Sequence, residues 1–189
     1  EPIYNALNAT PNQLLLANGD GTFRDVTEKA GVGHTGWALC CSAVDYDLDG
    51  DADIFVGNDF GFDVLYRNRG DGVFDEVTSE TGLKKRGATM SVDWGDVNDD
   101  GIPDLFTGGM SSNSRWILDH PSFPAPAPWL VATLFRDRVL GIFSQMLHGN
   151  FLYTSSGDGD FKEISSLAGV NDNGWAWSSI FLDYDNDGL

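Results

Sequence analysis

Short runs of branched and aromatic residues recur along the chain and predict β-strands. Such runs lie at 53–56 (DIFV), 64–67 (VLYR), 74–77 (FDEV) and 104–107 (DLFT), and their composition is typical of half-buried strands. Gly-Asp-Gly at 70–72 separates two of the runs, and its glycines can adopt the positive φ of a tight hairpin turn. The pattern predicts an all-β fold of short antiparallel strands.

The hairpin segment occurs three times and defines an internal repeat. Residues 12–27 (NQLLLANGDGTFRDVT) align with residues 63–78 (DVLYRNRGDGVFDEVT) and 150–165 (NFLYTSSGDGDFKEIS). Because the same spacing recurs at independent positions, the unit is 51 residues long and its second copy carries an insertion of 36 residues. Three sets of residues share the steps of 51 and 87: Phe23, Phe74 and Phe161; Gly36, Gly87 and Gly174; Asp45, Asp96 and Asp183.

Four short strands per repeat, joined by regular turns, predict one blade of a β-propeller. The predicted fold class is therefore all-β: a β-propeller segment of four-stranded antiparallel blades with one partly helical insertion. A propeller closes with about four to eight blades, so we expect this sequence to be a piece of a longer protein. We divide it into the outer half of a preceding blade (1–35), two complete blades (36–86 and 87–173) and the start of a further blade (174–189).

The insertion, at about 111–149, lies between the second and third strands of the second complete blade. Residues 120–129 (HPSFPAPAPW) are rich in proline and predict an extended connection. Beyond them, apolar residues at helical spacing predict one helix, which packs against the blade edge or binds a partner. These residues are Phe135, Val139, Ile142, Phe143, Met146 and Leu147.

Each repeat also carries a loop rich in aspartate. Residues 45–53 read DYDLDGDAD, residues 96–104 read DVNDDGIPD, and residues 183–188 (DYDNDG) begin a third copy. Oxygen ligands at positions 1, 3, 5 and 9, with a carbonyl at position 7 and a turn-forming glycine at position 6, suit a hard cation. Calcium is favoured over magnesium, which gives up its water reluctantly. Without a cation, carboxylates this close would repel one another.

Two other structures could account for these loops. An EF-hand requires a glutamate at position 12 and a helix after the loop, but position 12 is Val56 in one loop and Thr107 in the other, and both stand in predicted strands. The second alternative, solvated acidic turns without metal, stays open.

The aspartate loop between strands, together with the GDGTF-type hairpin, resembles the FG-GAP (VCBS-type) repeat of integrin-α-like propellers. Residues 18–32 (NGDGTFRDVTEKAGV) and 174–188 (GWAWSSIFLDYDNDG) are similar to the cartilage-acidic-protein-like branch of that family. The resemblance implies a seven-bladed propeller, calcium in the loops, and a role in extracellular adhesion or recognition.

Carried over by position, the resemblance also implies the calcium ligands. The carbonyl ligands at position 7 would come from Asp51 and Ile102. The side-chain ligands would be Asp45, Asp47, Asp49 and Asp53 in the first loop, Asp96, Asn98, Asp100 and Asp104 in the second, and Asp183, Asp185 and Asp187 in the third.

Charge excludes some classes of partner. The chain has 29 acidic and 11 basic residues and a formal net charge of −18, which argues against binding to nucleic acid or to an anionic membrane. Its longest apolar stretch, 129–147, contains Arg136, Asp137 and Arg138 at its centre, so no membrane insertion is expected.

We therefore expect a non-enzymatic, calcium-stabilised module of a secreted, extracellular or periplasmic protein, acting in adhesion or in recognition of a protein or glycan. Trp37, Trp175 and Trp177 can stack on sugar rings or pack between blades. The three histidines are scattered and accompany no serine nucleophile motif. The alternatives are part of a propeller-based polysaccharide lyase or hydrolase, with catalytic residues partly outside this sequence, and a subunit of a larger extracellular assembly.

Overall fold

A computed structural model describes residues 6–83, 87–110, 149–171 and 174–185. The predicted helix and the proline-rich connection of the insertion lie outside these residues. The described elements are β1 (Leu15–Ala17), β2 (Phe23–Asp25), α1 (Thr27–Ala30), β3 (Ala38–Val44), β4 (Asp53–Asn58), β5 (Val64–Asn68), β6 (Phe74–Glu76), β7 (Thr89–Gly95), β8 (Asp104–Gly109), β9 (Phe151–Ser155), β10 (Phe161–Glu163) and α2 (Ser165–Ala168).

The strands form two four-stranded sheets and one hairpin. Strands β3, β4, β5 and β6 pair in chain order, as do β7, β8, β9 and β10, whereas β1 pairs with β2. Every one of these pairings is antiparallel. The predicted all-β propeller segment of four-stranded antiparallel blades is thus confirmed.

The two sheets are built alike. Phe55 pairs with Leu65 in the first sheet, and Phe106 pairs with Leu152 at the equivalent position of the second. The inner pair of strands changes register just after Ala38 in one sheet and just after Thr89 in the other, positions that are one repeat apart. The repeat in the sequence is therefore a repeat of strand register.

The turns fall at two ends of each sheet. The aspartate loops join β3 to β4 and β7 to β8, and the Gly-Asp-Gly turns join β5 to β6 and β9 to β10. Because the strands are antiparallel, these two kinds of turn share one end of the sheet. A contact confirms this, since a Cβ added to Gly70 would lie 2.7 Å from Oδ2 of Asp51. The connections from β4 to β5 and from β8 to β9, including the insertion, leave from the opposite end.

One hydrophobic cluster holds the two sheets together. Phe55 and Leu65 from the first sheet and Leu105 and Phe161 from the second belong to it, and burial of this apolar surface is the main favourable term between the blades. Trp94 adds a polar link, because its indole N–H donates to a hydroxyl on β3 at 2.8 Å.

The Gly-Asp-Gly turns are hairpin turns, as predicted. All six glycines have positive φ, between 75° and 89°. In each turn Oδ1 of the central aspartate accepts the N–H of the residue two positions later, at 2.9, 3.1 and 3.3 Å. These carboxylates stabilise the turns themselves.

Asp63 is an acid at a repeat position that is asparagine elsewhere. Oδ1 of Asn150 accepts the N–H of Gly109 at 3.1 Å, and Oδ1 of Asp63 accepts the N–H of Asn58 at 2.8 Å. The second oxygen of Asp63 accepts the Thr89 hydroxyl at 2.8 Å. Burial nevertheless dominates and raises the pKa of Asp63 to about 7.

This raised pKa predicts a pH-dependent contribution to stability, which Asp63→Asn should remove. The folded chain keeps the Asp63 proton up to about pH 7, whereas the unfolded chain releases it near pH 4. The free energy of unfolding of the wild type therefore decreases as the pH rises from about 4 to about 7. Urea unfolding from pH 5 to 8 should show Asp63→Asn gaining about 1–3 kcal/mol over the wild type. The reverse change, Asn150→Asp, should add a second pH dependence of the same sign. Parallel curves of unfolding free energy against pH for the wild type and both variants would contradict the prediction.

Candidate metal centre

The aspartate loops at 45–53 (loop 1) and 96–104 (loop 2) have the same backbone shape. At position 4, Leu48 and Asp99 both have φ of 59°, and the glycines at position 6 have φ of 94° and 80°. A left-handed residue other than glycine is uncommon, so two at equivalent positions mark one specific conformation. It curls positions 1 to 6 into a tight turn.

The same hydrogen bonds hold both loops in this conformation. The N–H at position 6 donates to Oδ2 at position 1, at 3.0 Å in loop 1 and 2.7 Å in loop 2. The N–H at position 7 donates to Oδ1 at position 5, at 2.9 Å in both. The aspartates thus fold the loop as well as bringing charge to it.

Loop 1 brings three carboxylates to one place. A ligand oxygen from each of Asp45, Asp47 and Asp49 lies within 4.8 Å of the other two. Oδ1 of Asp45 and Oδ1 of Asp47 are buried and have no hydrogen-bond partner, which is costly for polar atoms. Burial, together with the neighbouring charge of Asp49, raises the pKa of Asp47. A hard divalent cation bound here would satisfy the orphaned oxygens and neutralise the repulsion, so the residues fit calcium.

Loop 2 has oxygen-bearing side chains at the same positions, but they hydrogen-bond to one another and to the loop backbone. Oδ1 of Asp96 accepts the N–H groups of Asn98 and Asp100 at 3.3 and 3.1 Å, and the Asn98 amide donates to Oδ2 of Asp100 at 2.9 Å. Hydrogen bonds from the loop backbone, that of Gly101 first, lower the pKa of Asp96. With an amide at position 3, loop 2 carries one negative charge less there than loop 1.

The aspartate at position 9 has a structural role that the sequence analysis missed. Asp53 is fully buried, and its two oxygens accept the N–H groups of Tyr46 at 3.2 Å and Asn68 at 2.7 Å. Asp104 makes the equivalent bonds to the backbone of Val97 and Ser155, at 3.0 and 2.8 Å. Position 9 therefore ties the start of the loop to the third strand of the sheet.

Burial is the main reason why these two carboxylates are weaker acids than usual. It raises the pKa of Asp53 to about 6, against the opposing effect of the two backbone N–H donors. It also raises the pKa of Asp104. Each carboxylate oxygen keeps a second lone pair for a cation, and coordination by Asp53 and Asp104 stays a prediction.

The other predicted ligands are placed as follows. At position 7, the side chain of Asp51 lies against Gly70 and that of Ile102 lies against Gly157; coordination by their carbonyls stays a prediction. In the third loop Asp183 is half-buried and Asp185 is exposed. Asp187 lies outside the described residues.

Three tryptophans and one histidine among the candidates lie within the described residues. Trp37, Trp175 and Trp177 are exposed, and the described residues do not pack them between blades. The indole of Trp37 donates to the side chain of Asn8 at 3.0 Å and meets the ring of Phe60 edge-on. His34 is half-buried, accepts the Gly36 N–H through Nδ1, and has its pKa lowered by burial. His120 and His148 lie outside the described residues.

Four-stranded antiparallel sheets, each with an acidic loop between its first and second strands, define this chain as a β-propeller segment of the aspartate-loop class. The FG-GAP-like repeat model matches residues 3–56 and 45–107, more than half of the chain. The chain belongs to the FG-GAP-like repeat family, as its sequence indicated.

Two named relatives extend the match beyond these repeats. The chain is 26% identical to Cartilage acidic protein 1 of Homo sapiens and 24% identical to Cartilage acidic protein 1 of Mus musculus, each over 213 aligned positions. These alignments cover 95% of this chain and 31% and 32% of the relatives. The chain thus spans about a third of the length of the curated relatives it matches.

Its described helices, α1 and α2, are four residues long, and neither could cross a bilayer.

Proposed function

We propose that this chain is a calcium-binding module of a non-enzymatic extracellular or periplasmic protein, in which calcium has a structural role. The observation that supports it best is the cluster of Asp45, Asp47 and Asp49, with two buried oxygens that lack hydrogen-bond partners. Loop 2 repeats the backbone shape and is proposed as a second, weaker site. Asp183, Asp185 and Asp187 are proposed ligands of a third.

The location of loop 1 supports a structural role. The loop joins β3 to β4, and its last residue accepts an N–H from Asn68 at the end of β5. A cation bound to positions 1, 3 and 5 would fix the loop over the ends of all three strands. Calcium sites of extracellular modules have affinities near millimolar, and calcium outside the cell would keep them filled.

Adhesion or recognition of a protein or glycan is the second part of the proposal. The exposed rings of Trp175 and Trp177 can stack on sugars, and an acidic chain of net charge −18 favours neutral or basic partners. A glycan array probed with the full chain in calcium tests the glycan form. Binding that survives Trp175→Ala with Trp177→Ala would remove these rings from the proposal.

Calorimetric titration of the full chain with calcium tests the metal sites. The wild type should bind at both complete loops, and Asp47→Asn with Asp49→Asn should abolish the tighter binding event, because loop 1 then loses two carboxylate ligands. Asp71→Asn, in an exposed Gly-Asp-Gly turn, is the matched control and should bind as the wild type does. No binding at millimolar calcium, or an equal loss in the control, would refute the proposal.

A further inference from the structure

Tyr46 connects loop 1 to the hydrophobic cluster between the sheets. It stands at position 2 of the loop, between Asp45 and Asp47, and its side chain is 1% exposed within that cluster. Its own N–H donates to Asp53 at 3.2 Å. The residue that lies between two proposed ligands is therefore also a core residue.

Part of the surface that covers Tyr46 comes from the second sheet. Its ring lies 5.9 Å from the ring of Phe161, centroid to centroid, at an interplanar angle of 33°. A Cβ added to Gly159 would lie 3.6 Å from Cε2 of Tyr46. Gly159 and Phe161 stand in the turn and on the outer strand of the β9–β10 hairpin. A loop of one blade thus packs on the hairpin of the next.

The rest of the chain shows what this contact depends on. At the equivalent position 2 of loop 2, Val97 is 41% exposed, and Tyr184 in the third loop is 84% exposed; the described residues contain no further hairpin to cover them. The hairpin of the first sheet shows the converse. The described residues contain no aspartate loop from a preceding blade that could pack on it, and Gly72, equivalent to Gly159, has open space at its Cβ position.

We propose that Tyr46 is a positioning residue that transmits calcium binding in loop 1 to the β9–β10 hairpin of the next blade. This inference rests on the proposed calcium site. A cation held by Asp45 and Asp47 fixes the backbone on both sides of Tyr46, and hence its ring against Phe161. Without the cation, repulsion between the carboxylates opens the loop and loosens the hairpin contact. Calcium binding thereby controls how rigidly loop 1 packs on the hairpin of the next blade.

Hydrogen exchange on the full chain can isolate this coupling. Loop 2 would first be disabled by Asp96→Asn with Asp100→Asn, because calcium there would act on β9 directly through Asp104. In this background calcium should slow exchange in loop 1 and also in Phe161–Glu163. The expected slowing at the hairpin is about 5- to 150-fold, the usual range of coupling between sites. Tyr46→Leu, which keeps an apolar side chain, should abolish the slowing at the hairpin and preserve that in loop 1.

Two controls separate the possible failures. Tyr46→Phe keeps the ring and should retain the hairpin response, and Val97→Ala, at the same position of loop 2, should leave it unchanged. Calcium binding at loop 1 with an equal hairpin response in Tyr46→Leu overturns this inference alone. Absence of calcium binding at loop 1 overturns both it and the proposed function.

Discussion

Removing calcium should lower the free energy of unfolding of the full chain by about 5 kcal/mol, compared with free calcium at about 100 times the dissociation constants. Each of two sites bound only by the folded state contributes about 2.7 kcal/mol under that condition. In loop 1, calcium also relieves the repulsion between the clustered Asp45, Asp47 and Asp49. For a chain of this size the loss corresponds to a melting temperature lower by about 10–20 °C.

Thermal unfolding in EGTA and in calcium measures this effect. Magnesium at equal ionic strength is the control, and it should recover only a small part of the stability because it resists full dehydration. Equal melting curves with and without calcium would rule out a structural cation, whereas full recovery by magnesium would rule out a site that is selective for calcium.

The second large effect is expected from Asp53→Ala in calcium-free protein. The substitution leaves the N–H groups of Tyr46 and Asn68 without their acceptor. Each unsatisfied buried N–H costs about 1–3 kcal/mol, so the expected loss of stability for the two groups is about 2–6 kcal/mol without any metal present. A loss of stability in calcium-free protein can come only from the hydrogen bonds that Asp53 accepts, and not from metal coordination by Asp53.

Asp49→Ala is the matched comparison, because Asp49 is exposed and lies in the same loop. In EGTA it should cost little, since it removes one of three repelling charges along with one hydrogen bond to the Asp51 N–H. In calcium it should weaken metal binding. If urea unfolding in EGTA gives equal losses for Asp53→Ala and Asp49→Ala, position 9 does not have the structural role assigned to it.

The strands and turns were predictable because one pattern fixes them in several copies. The runs beginning at Asp53 and Val64 form β4 and β5 at the predicted positions, since the branched residues and the glycine turns favour the same register. The loops were predictable for a similar reason: the spacing of aspartates around a glycine is itself the requirement of the turn. A single copy would have been much weaker evidence.

What the sequence did not predict depends on neighbours that are distant along the chain. Asp53 looks like another ligand in the sequence, yet its partners Tyr46 and Asn68 are backbone groups brought to it by strand pairing. Tyr46 looks like a spacer between aspartates, yet it is covered by Phe161, which stands 115 residues later. Trp37, Trp175 and Trp177 could pack between blades by side-chain type, yet they are exposed. Side-chain type alone does not say which surfaces meet.

The two ends of each sheet differ in how freely they can change during evolution. The end with the aspartate loops is constrained by ion chemistry, by left-handed residues and by the close approach of Gly70 to Asp51. At the opposite end the Gly109 N–H donates to Asn150, and between these two residues the chain carries an insertion of 36 residues that the first sheet lacks. New specificities can therefore arise at that end by lengthening a connection, while the scaffold that carries them is inherited unchanged.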